Sequence, residues 1–99
     1  MNRESDLRYL SHMYHVIEEL ENNIESTKQK KKDFILECEN HFKRGGGRKD
    51  GEERFKYYLE KNPKSQEGRK LKDLEGRLRH LVKQLERQKS HAKEIQDGL

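Results

Sequence analysis

Two runs of apolar residues, each spaced alternately three and four apart, constrain this chain more than anything else in it. The first is Leu10, Met13, Ile17, Leu20, Ile24, Thr27, Lys31, Phe34 and Cys38, an a/d heptad seam with polar faults at Thr27 and Lys31. The second is Leu71, Leu74, Leu78, Leu81, Leu85, Gln88, Ala92, Ile95 and Leu99. The ends of each seam lie 28 residues apart, or about 42 Å of helix at ~1.5 Å per residue. A period of 3.5 excludes strands, and its persistence argues against disorder in a chain with 42% charged residues. Equal seams joined by a connector predict an all-α chain: an antiparallel two-helix coiled-coil hairpin with a short third helix near the connecting loop.

With 99 residues and only 28% hydrophobic, the chain has room for one small domain and too little apolar mass for a thick core. The reading is therefore a single helical domain over 1–99. It comprises a long helix about 5–44, a glycine hinge 45–51, a short helix about 52–61 and a long helix about 63–97. Asn62 offers an N-cap for the last helix, with Pro63 at its first position. Asp50 offers a cap for the short helix, with Glu53 three residues on. That helix presents Phe55, Tyr58 and Leu59 on one face, suited to fold over Phe34, Ile35, Cys38 and Phe42.

The stretch "HFKRGGGRKDGEERF" (41–55) breaks the pattern with three consecutive glycines. A phosphate-binding P-loop needs lysine and then serine or threonine after its last glycine. Here Glu52 and Glu53 follow Gly51 and would repel phosphate. The dinucleotide fingerprint fails because Asp50 stands where its third glycine belongs. Lys43 and Arg44 suit a helix C-terminus, and Gly45 can take the left-handed conformation that ends a helix. The stretch reads as a hinge.

Candidate chemistry is sparse. Cys38 with His41 and His12 with His15 have pair spacing for a metal, but structural zinc wants four ligands and cysteine occurs once. Cys38 reads as a seam residue, and no metal or cofactor is expected. A narrow hairpin has no concave pocket in which to shift a pKa or exclude water, so an enzyme is not expected. No apolar run approaches the ~20 residues of a membrane span, and "MNRESDLRYL" lacks the apolar core of a signal peptide. An intracellular chain, cytoplasmic or nuclear, follows.

The net charge of +4 is uneven. Residues 1–40 hold six Lys/Arg against nine Asp/Glu, residues 41–64 eight against four, and residues 65–99 nine against six. Acidic first and basic last segments complement each other within one molecule. A basic ridge of Arg69, Lys72, Arg79, Lys83, Arg87 and Lys93 runs along the last helix, interleaved with Asp73, Glu75, Glu86 and Glu94. It carries the alternative reading, a small basic helical nucleic-acid-binding protein of viral or phage type.

The stretch "YYLEKNPKSQEGRKLKDLEGRLRHLVKQLERQ" resembles the second half of the Rho-effector homology-region-1 repeat, an antiparallel helical finger of Rho-binding kinases and F-BAR actin adaptors. "LENNIESTKQKKKDFILECENHF" is loosely similar to that family's first helix. The resemblance covers about two thirds of the chain and implies a helical finger that binds a Rho-family small GTPase. The glycine hinge and the extra short helix depart from the family's pattern, and no binding residue carries over.

The leading reading is a non-enzymatic protein–protein interaction or oligomerisation module. Leu7, Tyr9, Tyr14 and Val16 widen the apolar stripe beyond what one partner helix covers, and form the candidate self-association face of a homodimer. Two registers of the hairpin are nearly equivalent in their apolar layers. Flanking charges, Glu37 by Arg77 and Glu21 by Lys89, favour the one that sets Phe34 near Leu78, Ile17 near Ile95 and Cys38 near Leu74. The shorter one pairs Phe34 with Leu71.

Overall fold

A computed structural model of the chain describes residues 3–99. Three helices account for nearly all of them: α1 over Arg3–Phe42, α2 over Arg48–Lys61 and α3 over Gln66–Asp97. No strand occurs among the described residues. The long helices follow from sequences without proline: α1 also lacks glycine over its 40 residues and carries Glu4 and Asp6 in its first turn, where carboxylates favour the helix dipole. No helix among the described residues is long and apolar enough to cross a membrane.

The helix ends differ from the sequence reading, each for a local reason. The first helix stops at Phe42 rather than about 44, because the Arg44 N–H donates to Asp50 Oδ2 at 2.9 Å instead of to a helical carbonyl. Gly45 and Gly47 then take φ of 91° and 82°, a left-handed backbone that side chains disfavour. The short helix begins at Arg48 rather than about 52, so the hinge is 43–47. Asp50 therefore lies inside the first turn of α2 and does not cap it. Gly47 occupies the cap position with no side-chain hydrogen bond.

At the other end of α2, Asn62 is a C-cap rather than the N-cap of α3. Its backbone N–H donates to the Tyr58 carbonyl at 2.8 Å, and its Nδ2 donates to the same oxygen at 3.2 Å. The Ser65 N–H returns to the Asn62 carbonyl at 3.1 Å, closing a turn with Pro63 at its second position, where a fixed φ suits. Ser65 caps α3 instead. Its Oγ accepts the Gly68 N–H at 3.2 Å, and its carbonyl accepts the Arg69 N–H at 2.9 Å.

The chain divides into two compact units. The first joins residues up to Ser26 with Leu78–Leu99, and the second is Thr27–Arg77. In the first, Leu10, Met13, Ile17 and Ala92 form a buried cluster with Leu85 and Ile95 packed against it. In the second, Phe55 of α2 is only 3% exposed, and the Phe42 ring lies 5.6 Å from Phe55 and 4.7 Å from Tyr58 between centroids. Tyr58 also donates to Glu67 Oε2 at 3.2 Å, tying α2 to the start of α3. Gly51 is buried where α2 crosses the end of α1, and a Cβ there would land on the Glu39 carbonyl oxygen.

Candidate interaction surfaces

In the first unit, the seam is flanked by two shoulders, and the candidate self-association residues divide between them. At about 100° per residue, Tyr9 and Val16 lie to one side of the seam and Leu7 and Tyr14 to the other. The tyrosine hydroxyls are used within the unit. Tyr9 Oη meets His91 Nε2 at 3.5 Å, with the rings edge to face at 6.0 Å. Tyr14 donates to Gln96 Oε1 at 2.9 Å. Glu21 and Lys89 sit on the Tyr14 side, 3.9 Å apart.

The apolar parts of these side chains stay in solvent. Leu7 is 50% exposed, Tyr14 47% and Val82 39%. Val82, Lys89 and Gln96 are seven residues apart, so they share one flank of α3, and that flank meets Tyr14 and Glu21. The Tyr14 shoulder thus carries Leu7 and Val82 beside two polar pairs, and its α1 row continues one heptad beyond Glu21 with exposed Lys28. The Tyr9 shoulder is different. Its α3 members are Gln84 and His91, both exposed, and Val16 is half-buried. The four candidate residues do not make one face, and Val82 belongs with two of them. Heptad position was the signal for this grouping: Leu7, Tyr14 and Val82 all occupy e positions.

In the second unit, the seam's lysine fault is resolved by an ion pair, Lys31 Nζ to Glu75 Oε1 at 3.4 Å. Lys70 Nζ lies 4.4 Å over the Phe34 ring, and Cys38 shares a cleft with Phe34, Glu67 and Lys70. Burial pushes the Cys38 thiol above its ordinary pKa, helped by the Glu67 and Glu37 carboxylates. A thiol held protonated is a poor nucleophile. These neighbours correct the favoured register. Phe34 meets Lys70, the residue before Leu71, and the cleft that Cys38 shares with Glu67 and Lys70 does not include Leu74.

An open cleft of about 630 Å³ lies beside α2, where the sequence reading expected no concavity. Phe42, Tyr57 and Tyr58 supply aromatic walls, and Arg44, Arg54 and Asn62 part of the rim. Asp50 holds Arg54 Nε at 2.8 Å as well as the Arg44 N–H, and these hydrogen bonds, the backbone one first, keep its carboxyl below the usual carboxylate range. Among the described residues no group of three or more His, Cys, Asp or Glu is placed to hold a metal ion. His12, His15 and His41 are exposed, and His15 pairs with Glu19 at 3.4 Å.

The six cations of the ridge are all exposed. At about 100° per residue they fall within a third of the α3 circumference, away from the seam. Glu86 and Glu94 occupy the same sector, so the ridge alternates in sign. Compared with known protein families, curated proteins and solved structures, the chain matches none.

Proposed function

We propose that the chain is a non-enzymatic antiparallel helical hairpin, α1 against α3, that serves as a protein-interaction and oligomerisation module. The observation that carries this is the Tyr14 shoulder: Leu7, Tyr14 and Val82 flank a seam that is already filled, yet remain about half exposed. Apolar groups left beside a completed seam are what a further helix or protein surface buries, at roughly 1.5–3 kcal/mol for each fully covered leucine or valine. The order of contacts supports the hairpin. As α1 ascends from Tyr14 to Glu21, its partners descend from Gln96 to Lys89. From Lys31 to Phe34 they descend from Glu75 to Lys70.

A Rho-family small GTPase is the specific partner that the sequence resemblance suggests, and its affinity in the GDP and GTP states is one arm of the test. The basic ridge supports the second reading, nucleic-acid binding, and supplies the other arm. Affinity for an arbitrary RNA and DNA is measured at about 50 and 200 mM salt, between which phosphate-tracking affinity falls steeply. Weak, salt-indifferent retention of nucleic acid is the expected result. Tight binding that collapses with salt and with charge reversal at Arg79 and Lys83 overturns the protein-module reading.

A further inference from the structure

The cleft beside α2 gathers cations and exposed rings within the more basic of the two units. Residues 27–77 hold sixteen Lys/Arg against ten Asp/Glu, a balance of +6, whereas the first unit holds seven against nine, a balance of −2. Along the α2 wall of the cleft, Asp50 and Arg54 come first, then Tyr57 and Tyr58, then Lys61. Arg44 joins the first end, because its N–H donates to Asp50 Oδ2 at 2.9 Å. The opposite wall is the end of α1, with Phe42 at 4.7 Å from the Tyr58 ring between centroids.

Two side chains here are built for contact and have no fold to hold together. Arg54 Nε donates to Asp50 Oδ1 at 2.8 Å, yet the arginine side chain is still about half exposed. A guanidinium anchored on one side and open on the other is preorganised to receive a carboxylate. Tyr57 is 63% exposed, the most of any large apolar side chain described, and Lys61 Nζ stands 5.6 Å over its ring. Tyrosine and arginine are the residue types that dominate binding energy at protein interfaces.

We propose that this cleft binds a short acidic segment of a partner protein, with an aromatic or leucine side chain against Phe42 and Tyr57 and carboxylates on Arg54 and Lys61. The inference rests on the interaction-module reading and names the chemistry of its partner. Arg54 and Lys61 are seven residues apart, about 10 Å of helix, or about three residues of an extended segment. Two acidic residues therefore bracket one apolar anchor. The excess of cations in the unit steers such a segment in and sets a salt-dependent on-rate. Single-stranded nucleic acid fits less well. Asp50 and Glu53 share the wall with Arg54, so a backbone charged at every nucleotide brings phosphate against carboxylate, whereas a peptide places its charges only where cations stand.

The test is a nuclear magnetic resonance titration of the full, isotope-labelled chain with a peptide that carries one phenylalanine between two runs of glutamate. The Arg54 Nε–H signal and the amides of Arg44, Tyr57 and Lys61 are expected to shift together, while those of Leu10 and Met13 stay. Tyr57→Ala and Lys61→Glu, both at exposed positions, should each raise the dissociation constant at least about tenfold with helicity retained. Arg79→Glu and Lys83→Glu on α3 should leave it nearly unchanged. No shifts at millimolar peptide, shifts indifferent to Tyr57→Ala, or equal weakening by the α3 reversals overturn the proposal. A uridine oligomer that shifts the same signals at lower concentration than the peptide overturns it in favour of single-stranded nucleic acid. The same shifts on concentrating the chain alone place a second copy's acidic segment there and overturn a foreign partner. A chain that ignores the peptide but binds a GTPase overturns the cleft alone. Peptide bound in the cleft, with RNA held tightly and salt-dependently on the α3 ridge, keeps the cleft and overturns the module reading.

Discussion

Gly51 and Gly76 should respond in opposite directions to the same substitution. Both sit inside helices, where alanine is intrinsically favoured over glycine by about 1 kcal/mol. At Gly76 a Cβ meets nothing within 4 Å, so Gly76→Ala should realise most of that gain. At Gly51 the Cβ would land on the Glu39 carbonyl oxygen and stand 3.0 Å from its carbon. Those atoms belong to the α1 backbone and cannot swing aside as a side-chain tip can, so α2 must lift away. Overpacking of this kind costs about 1–3 kcal/mol, which outweighs the propensity term. Since 1 kcal/mol moves the midpoint of a 60–100-residue domain by roughly 4–8 °C, Gly76→Ala should raise Tm by about that amount and Gly51→Ala should lower it by several degrees. Thermal unfolding followed by far-UV circular dichroism, at one fixed protein concentration because association shifts the midpoint, reads both. A Gly51→Ala chain that melts as high as Gly76→Ala would refute the close crossing of α2 over α1.

Other parts of the second unit give further predictions. Asp50 has a lowered carboxyl pKa in the folded chain, so its contribution is present above the unfolded value near 3.9 and disappears as pH falls through the folded one. Asp50→Asn should therefore flatten the acid limb of the Tm-versus-pH curve below about pH 4, and an unchanged limb would rule out the hinge hydrogen bonds as its source. Phe55→Ala removes the side chain that α2 buries against Phe42, at about 3–5 kcal/mol for a phenylalanine truncation. Amide exchange across α2 should accelerate to near-unfolded rates while the Leu10–Met13–Ala92 cluster keeps its protection; uniform acceleration would mean that the two units unfold as one. Lys31→Leu replaces an ion pair that is partly exposed and worth about 0–1 kcal/mol with a buried seam leucine, and should raise Tm by a few degrees. A lower Tm would show that the Glu75 pair matters more than the apolar layer.

The helices themselves were legible because the pattern that predicts them is long. Nine seam positions in each half outvote any single fault, and the triple glycine leaves little choice about where α1 ends. The ends were less legible, because capping depends on which of several competent side chains wins. Asn62, Ser65 and Asp50 are all plausible caps by residue type. Asn62 is drawn backwards to the Tyr58 carbonyl, and Asp50 is drawn backwards to Arg44, leaving Ser65 for α3. The four candidate self-association residues read as one set from spacing alone, which does not show that Tyr9 and Tyr14 lie on opposite flanks of the seam. Five residues on a helix is enough to cross from one shoulder to the other.

Register is harder to read from the sequence than the helices are, for a physical reason. The apolar layers of the two candidate registers are nearly interchangeable, so the choice fell to charged pairs on the flanks, each worth less than about 1 kcal/mol. Glu21 by Lys89 is one of the pairs that favour the longer register, with Glu37 by Arg77, and the Glu21 contact exists at 3.9 Å. It fits the shorter register as well, because side chains on both helices lean toward their own N-termini and flank contacts join residues from different layers. A flank pair therefore does not report the layer it seems to. The seam does: in the second unit, Cys38 shares a cleft with Glu67 and Lys70, and Lys70 lies over the Phe34 ring. Disulfide trapping tests this directly, using Cys38 with either Glu67→Cys or Leu74→Cys under the same mild oxidant. Trapping at 67 should be faster by at least about tenfold, since positions 67 and 74 are about 10 Å apart along α3 and only one can satisfy a limit of about 7 Å between Cα atoms. Preferential trapping at 74 would restore the longer register and displace Lys70 from the Phe34 ring.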